Sequence, residues 1–151
     1  TIYDETSQEI IHMVATFVLM DRENRKVHPV EPEIVAPYQS EFSKKLIRGP
    51  KYEELEDAIS KDYHVRFYDL DMNGHVNNSK YLDWVFEVMG ADFLTNHIPK
   101  KINLKYVKEV RPGGMITSSY ELNGLESNHQ VTSDGDINAQ AKITWQEINK
   151  D

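Results

Sequence analysis

Residues 68–78 read YDLDMNGHVNN and crowd two carboxylates, three amides and an imidazole into one short stretch. Two chemistries compete for it. Asp69, Asp71, Asn73 and Gly74 match the opening of a calcium loop of the D-x-D-x-N-G type. Such a loop needs a helix on each side and a bidentate Glu at its twelfth position. Counted from Asp69, that position is Lys80, a cation where an anion must close the shell. The segment before the loop also alternates like a strand, so the calcium reading fails in both contexts. The alternative is hydrolysis of an ester or thioester, which requires a group to activate water, a group to manage protons and donors for a developing oxyanion. Asp71, Asn73 and His75 occupy every second position, and in extended backbone all three would project to one side. Each also has a plain structural use: Asp71 as a turn former, Asn73-Gly74 as a tight turn, His75 as a core-edge histidine.

Elements on either side must position these groups. Tyr63, Val65 and Phe67 alternate with His64 and Arg66, which predicts a half-buried strand entering the loop. Residues 79–94, SKYLDWVFEVMGADFL, predict one helix leaving it. Lys80, Asp83, Glu87 and Gly90 form a narrow polar stripe, so this helix must be wrapped on most sides. Asn77 or Asn78 supplies its N-cap, and its free backbone N–H groups suit an oxyanion. Four strand-like segments follow. Ile102, Leu104 and Tyr106 alternate in the first, and Ile116, Ser118, Tyr120 and Leu122 in the second. Residues 128–133 are a weaker third, and Ile137, Ala139, Ala141, Ile143 and Trp145 alternate in the fourth. Gly113-Gly114, Asn123-Gly124 and Asp134-Gly135 lie between them and provide the positive φ that hairpin turns need. Strand, helix, then four strands in hairpin succession predicts an α+β domain with one helix buried in a curling antiparallel sheet.

The N-terminal part reads differently. EIIHMVATFVLM, residues 9–20, has the composition of a buried strand. Four of the 6 prolines lie between residues 29 and 50, marking a connector in which KYEELEDAI (51–59) and part of 40–48 are candidate short helices. ATFV and ITWQ echo one another at the two ends of the chain, which fits a duplicated unit. The expected organisation is residues 1–30 as terminal strands of an upstream domain, 31–59 as linker, and 60–151 as the domain carrying the site.

Composition narrows the partners. With 151 residues, 39% hydrophobic and 28% charged, the chain can bury a core without staples. A net charge of −8 argues against nucleic acid, which needs a basic footprint. Two local basic clusters, Lys44, Lys45, Arg48 and Lys51, and Lys100, Lys101, Lys105, Lys108 and Arg111, are either solvated faces or patches for an acidic partner. No apolar run approaches a membrane span, and Thr1 in place of methionine reads as a processed or partial chain. The absence of cysteine excludes a thiolate nucleophile and is compatible with a reducing compartment; a cytoplasmic setting is expected.

DLDMNGHVNNSKYLDWVFE resembles the signature of the acyl-acyl-carrier-protein (acyl-ACP) thioesterases, a family of tandem hotdog domains. TFVLMDRENRKVHPV is similar to the family's exit from the first hotdog, and INLKYVKEVRPGG to the strand after the central helix of the second. The resemblance implies a hotdog fold, a curved antiparallel sheet wrapped around one long central helix. It implies hydrolysis of fatty acyl-ACP thioesters at a site of Asp71, Asn73, His75 and Glu109, without cofactor or metal. Its implied partners are acyl carrier protein, the fatty acyl thioester, and a second hotdog domain, either upstream or in a second copy. In plant relatives a cysteine follows the acid; here that place is Val110. On strict alternation Glu109 shares its face with Lys101 and Lys105, so a bulge, a strand end or an interdomain groove must bring it to the loop. An acyl-CoA thioesterase, and an acyl- or carrier-binding hotdog without turnover, are the competing expectations.

Overall fold

The computed structural model describes residues 1–21, 23–24, 26–38 and 48–148. It divides into two units, Thr1–Arg48 and Gly49–Asp151. In the first, β1 (Ile2–Tyr3) pairs with β2 (Glu9–Ile11), and β3 (Leu19–Met20) with β4 (Val27–His28), both antiparallel. The Asp4 carboxylate ties the first turn by accepting the N–H groups of Thr6 and Gln8. A short helix α1 (Pro32–Val35) follows, with proline in its first turn. The single strand expected over 9–20 is broken into β2 and β3, and between them Met13 is 78% and Phe17 88% exposed. Lys44, Lys45 and most of the candidate helix at 40–48 lie outside the described residues.

In the second unit, residues 51–58 are not helical. Glu53, Glu54, Glu56 and Asp57 would set like charges at helical spacing, and the N–H groups of Glu56 and Asp57 donate instead to the Glu121 carboxylate. β5 (Ile59–His64) therefore starts earlier than its alternation predicts and ends earlier. Val65 beyond it is buried, but Phe67 turns outward at 81% exposure, because Phe67–Asp69 winds into one 3-10 turn.

Two helices replace the single one expected. α2 (Asn78–Glu87) and α3 (Ala91–Asn96) are separated at Gly90, whose φ of +82° ends the first. Asn77 is the N-cap, its Oδ1 accepting the Ser79 N–H at 3.0 Å. Tyr81, Trp84, Val85, Val88 and Met89 are buried, a stripe at spacings of three and four, while Asp83 and Glu87 face out.

β6 (His97–Tyr106), β7 (Met115–Asn123), β8 (Glu126–Ser133) and β9 (Asp136–Glu147) join β5 in a five-stranded antiparallel sheet of order β5-β7-β8-β9-β6. Only β7, β8 and β9 follow one another as hairpins, closed at Gly124 and at Asp134-Gly135, all with positive φ. β6 lies at the far edge beside β9, so the connection from 107 to 114 must pass the ends of β9 and β8 to reach β7. Ile116, Val131, Ala139, Ala141, Ile143 and Trp145 form the inner face packed against the α2 stripe. Two polar pairs in this core close locally: the Ser118 hydroxyl donates to the Trp84 carbonyl at 3.0 Å, and Trp145 Nε1 donates to Ser127 Oγ at 2.7 Å.

The clean alternation expected along β9 breaks at its start. Ile137 is 36% exposed and Asn138 is 1% exposed. The pairing with β8 jumps from Val131↔Ala139 to Thr132↔Ile137, so Asn138 is the extra residue of a β-bulge.

Candidate active site

The end of β5, the loop after it, the start of α2, the end of β6, the 107–114 connection and the β8–β9 turn all fall at one end of the sheet. Antiparallel topology thus gathers segments distant in sequence around the amino end of α2.

The loop is built from Asp69 upward. Asp69 is 1% exposed, and its carboxylate accepts the Arg66 N–H at 2.7 Å, Nε at 3.3 Å and Nη2 at 3.2 Å. Burial pushes this carboxyl up, but the bonds and charge of Arg66 outweigh it and hold it below the ordinary carboxylate value. From there the backbone closes on itself: Asn77 N–H donates to the Asp69 carbonyl at 2.8 Å, and Leu70 and Val76 form a β-bridge. Asp71 N–H donates to the His75 carbonyl at 2.7 Å, and Gly74 turns at φ +75°.

Asp71 Oδ1 sits inside this turn and accepts the N–H groups of Asn73 at 2.8 Å and His75 at 3.0 Å. The His75 N–H is the largest influence holding the Asp71 carboxyl below its usual value; slight burial opposes it and Asn73 adds to it. The segment is therefore a tight turn where alternation predicts extended backbone. A Gly at positive φ and a carboxylate collecting two N–H groups favour the turn over extension.

A hollow of about 300 Å³ opens beside it, lined by Asp71, His75, Val76, Asn77, Asn78, Tyr81 and Glu109. The structure thus brings Asp71, His75 and Glu109 together. Asn73 stands exposed at the turn and is not among the lining residues. Glu109 comes from the connection beyond β6, three residues past the strand's last residue, Tyr106, so strand alternation no longer governs its direction. Its Oε1 lies 3.8 Å from His75 Nδ1, with the two side chains 56% and 48% exposed. An imidazole beside a carboxylate can take a proton from water and pass it to a leaving group. The calcium geometry is absent: Asp69 turns inward to Arg66, Asp71 Oδ1 is occupied by the backbone, and Lys80 Nζ pairs with Asp83 at 2.9 Å.

Three residues at this end carry no signal of their own in the sequence. Asp69 enters the sequence reading only as a calcium ligand; its spacing of three from Arg66 is the trace of the capping pair. Tyr81 belongs to the apolar stripe of α2, yet its hydroxyl oxygen accepts the Val110 N–H at 3.1 Å. Asn138 sits in an alternating strand pattern that gives no sign of the bulge.

A five-stranded antiparallel sheet packed around one helix is the hotdog fold of the thioesterases. The acyl-ACP thioesterase C-terminal domain matches residues 52–147, and the N-terminal domain of the same family matches residues 1–38. The chain belongs to the acyl-ACP thioesterase family. A putative oleoyl thioesterase from Lactobacillus plantarum is similar in structure, with a TM-score of 0.77 and 32% identity over 87% of this chain and 55% of that one. The 12:0-ACP thioesterase from Umbellularia californica superimposes with a TM-score of 0.72 at 24% identity, over 85% of this chain and 53% of that one. Among curated relatives, the chloroplastic oleoyl-acyl carrier protein thioesterase 2 of Arabidopsis thaliana is 28% identical over 142 residues. The match takes in 85% of this chain and 37% of that relative, so the chain spans about a third of its length. Among the described residues, no helix is long and apolar enough to cross a membrane.

Proposed function

We propose that this chain carries the catalytic half of an enzyme that hydrolyses fatty acyl-ACP thioesters to free fatty acid and carrier protein. The observation that carries this is the approach of Glu109 to His75 at the amino end of α2. Glu109 and His75 together deprotonate water, whose oxygen attacks the thioester carbonyl carbon. The tetrahedral intermediate collapses with cleavage of the C–S bond, and the imidazolium returns its proton to the departing thiolate. Asp71 serves by holding the turn that presents His75. Asn73, at the tip of that turn, contributes its amide to the carbonyl once the thioester is seated over it. With no cysteine in the chain, the route is hydrolysis by water rather than by a thiol.

Residues 1–30 are taken as the terminal strands of an upstream hotdog, 31–59 as linker and 60–151 as the catalytic domain, in line with the family matches to 1–38 and 52–147. The partner hotdog is then the upstream domain or a second copy. Exposed Lys100, Lys101, Lys105 and Arg111 fit an acidic carrier, whereas Lys108 is already paired with Asp136. Parallel assays with oleoyl-ACP and oleoyl-CoA on the protein at its natural length test the assignment. Preference for the ACP thioester, weakened by salt or by Lys101→Glu with Lys105→Glu, is expected. Equal or better turnover of the CoA thioester would reassign the donor, and saturable binding without release of acid would remove the activity.

A further inference from the structure

The peptide plane joining Glu109 to Val110 is held at both poles. Its carbonyl oxygen accepts a hydrogen bond from Asn138 Nδ2 at 3.4 Å, and its N–H donates to the Tyr81 hydroxyl oxygen at 3.1 Å. Asn138 does more than this single contact. Nδ2 also reaches the Lys108 carbonyl at 3.3 Å, and the Asn138 carbonyl accepts the N–H groups of Val107 at 2.8 Å and Lys108 at 3.2 Å. One bulged residue therefore supplies hydrogen bonds to three successive residues of a connection that has left the sheet.

Every partner of Nδ2 is a carbonyl oxygen, so only the amide nitrogen can face them, and this fixes the orientation of the side chain. Oδ1 is buried without a hydrogen-bond partner. The register shift between Val131 and Thr132 is what turns Asn138 inward toward the connection while Ile137 faces out.

We propose that Asn138 is a positioning residue for the reaction, clamping the backbone of Glu109 so that its carboxylate stays beside His75. Tyr81 closes the clamp from α2. This rests on the assignment of Glu109 and His75 to the site above. With its backbone pinned, the Glu109 carboxylate samples only its own side-chain rotations. Freed, the connection can carry it away from the imidazole, and misplacement by about 1 Å costs up to roughly a hundredfold.

The test is a double-mutant cycle with oleoyl-ACP and dodecanoyl-ACP on the protein at its natural length. Asn138→Ala should lower kcat by about tenfold or more, with KM within about twofold. In a Glu109→Gln background the same substitution should cost almost nothing further, because the group it positions is gone. A merely structural defect would multiply with Glu109→Gln instead. Losses that multiply, or an unchanged kcat in Asn138→Ala while Glu109→Gln is impaired, would overturn the clamp and leave the site assignment standing. Unchanged kcat in Glu109→Gln itself would remove the site assignment and the clamp together. If Asn138→Ala does not fold, Tyr81→Phe removes the hydroxyl that accepts the Val110 N–H, and the same cycle applies to it.

Discussion

Arg66 closes on Asp69 from two directions, with its own backbone N–H at 2.7 Å and its guanidinium at 3.2–3.3 Å, around a carboxylate that is 1% exposed. The two residues set the angle at which the chain leaves β5 and enters the site loop. Removing the acid takes the acceptor from the Arg66 N–H and from its solvent-exposed guanidinium, so Asp69→Ala should lose on the order of 1 kcal/mol by urea denaturation. The Asp69 carboxyl is held below its ordinary value, so its contribution is present above about pH 4 and is lost as pH falls through the depressed folded value. Asp69→Asn should flatten that acid limb of the stability curve; an unaltered limb would mean the pair does not hold the loop.

His129 works in the opposite charge sense. It is 2% exposed, its Nε2 lies 2.7 Å from Ser127 Oγ, and burial pushes its imidazole down to about 4. The unfolded chain therefore binds this proton first, and stability falls as pH drops from about 6.5 towards 4, by roughly 3 kcal/mol over the full interval. Urea midpoints at pH 7 and pH 5 should differ more for the native chain than for His129→Gln. Equal differences would show that the ring takes up its proton alike in the folded and unfolded states.

Asp71 and Glu109 are both acids of the hollow, yet they are engaged differently. Asp71 Oδ1 is spent on two backbone N–H groups of the turn. Asp71→Asn keeps an acceptor oxygen there and should retain most of kcat, whereas Asp71→Ala should lose at least about tenfold, about 1.4 kcal/mol of barrier. His75→Ala and Glu109→Gln should each lose at least as much. Equal loss in Asp71→Asn and Asp71→Ala would make Asp71 the acid that activates water.

Gly74 offers a purely conformational test. Its φ is +75°, and a Cβ placed there would meet nothing within 4 Å. Gly74→Ala should therefore cost about 1–2 kcal/mol through backbone strain alone, and Gly74→Asn, which tolerates this region, should cost less. Circular-dichroism melting of the two variants separates strain from steric exclusion; matching melting points would place the cost elsewhere.

What could be read from the residues alone follows from how local the governing physics is. The buried stripe of α2 and the alternation of Ala139, Ala141, Ile143 and Trp145 are imposed by one-sided burial, which leaves a periodic trace. The hairpins at Gly124 and Gly135 are legible because positive φ selects glycine. Phe67 and Ile137 defeat alternation because a 3-10 turn ends the extended backbone at one and a bulge adds a residue beside the other, and neither has a compositional mark. Residues 51–59 carry helical composition, but closely spaced acids and the Glu121 carboxylate decide otherwise. The placement of β6 at the far edge is set by the whole sheet, and no neighbouring residue announces it. Glu109 entered through family resemblance; its position past the end of β6 is what makes it reachable from His75.

The sheet also has a second end. The Gly124 turn joins β7 to β8 there, near the start of β5 and the end of β9 and away from the hollow. Reporter tags or tethering sequences spliced between Gly124 and Leu125 should leave turnover intact, while a single residue added between Val107 and Gly114 should abolish it. The molecule thus offers engineers one rim that accepts cargo and one whose chain length is not negotiable.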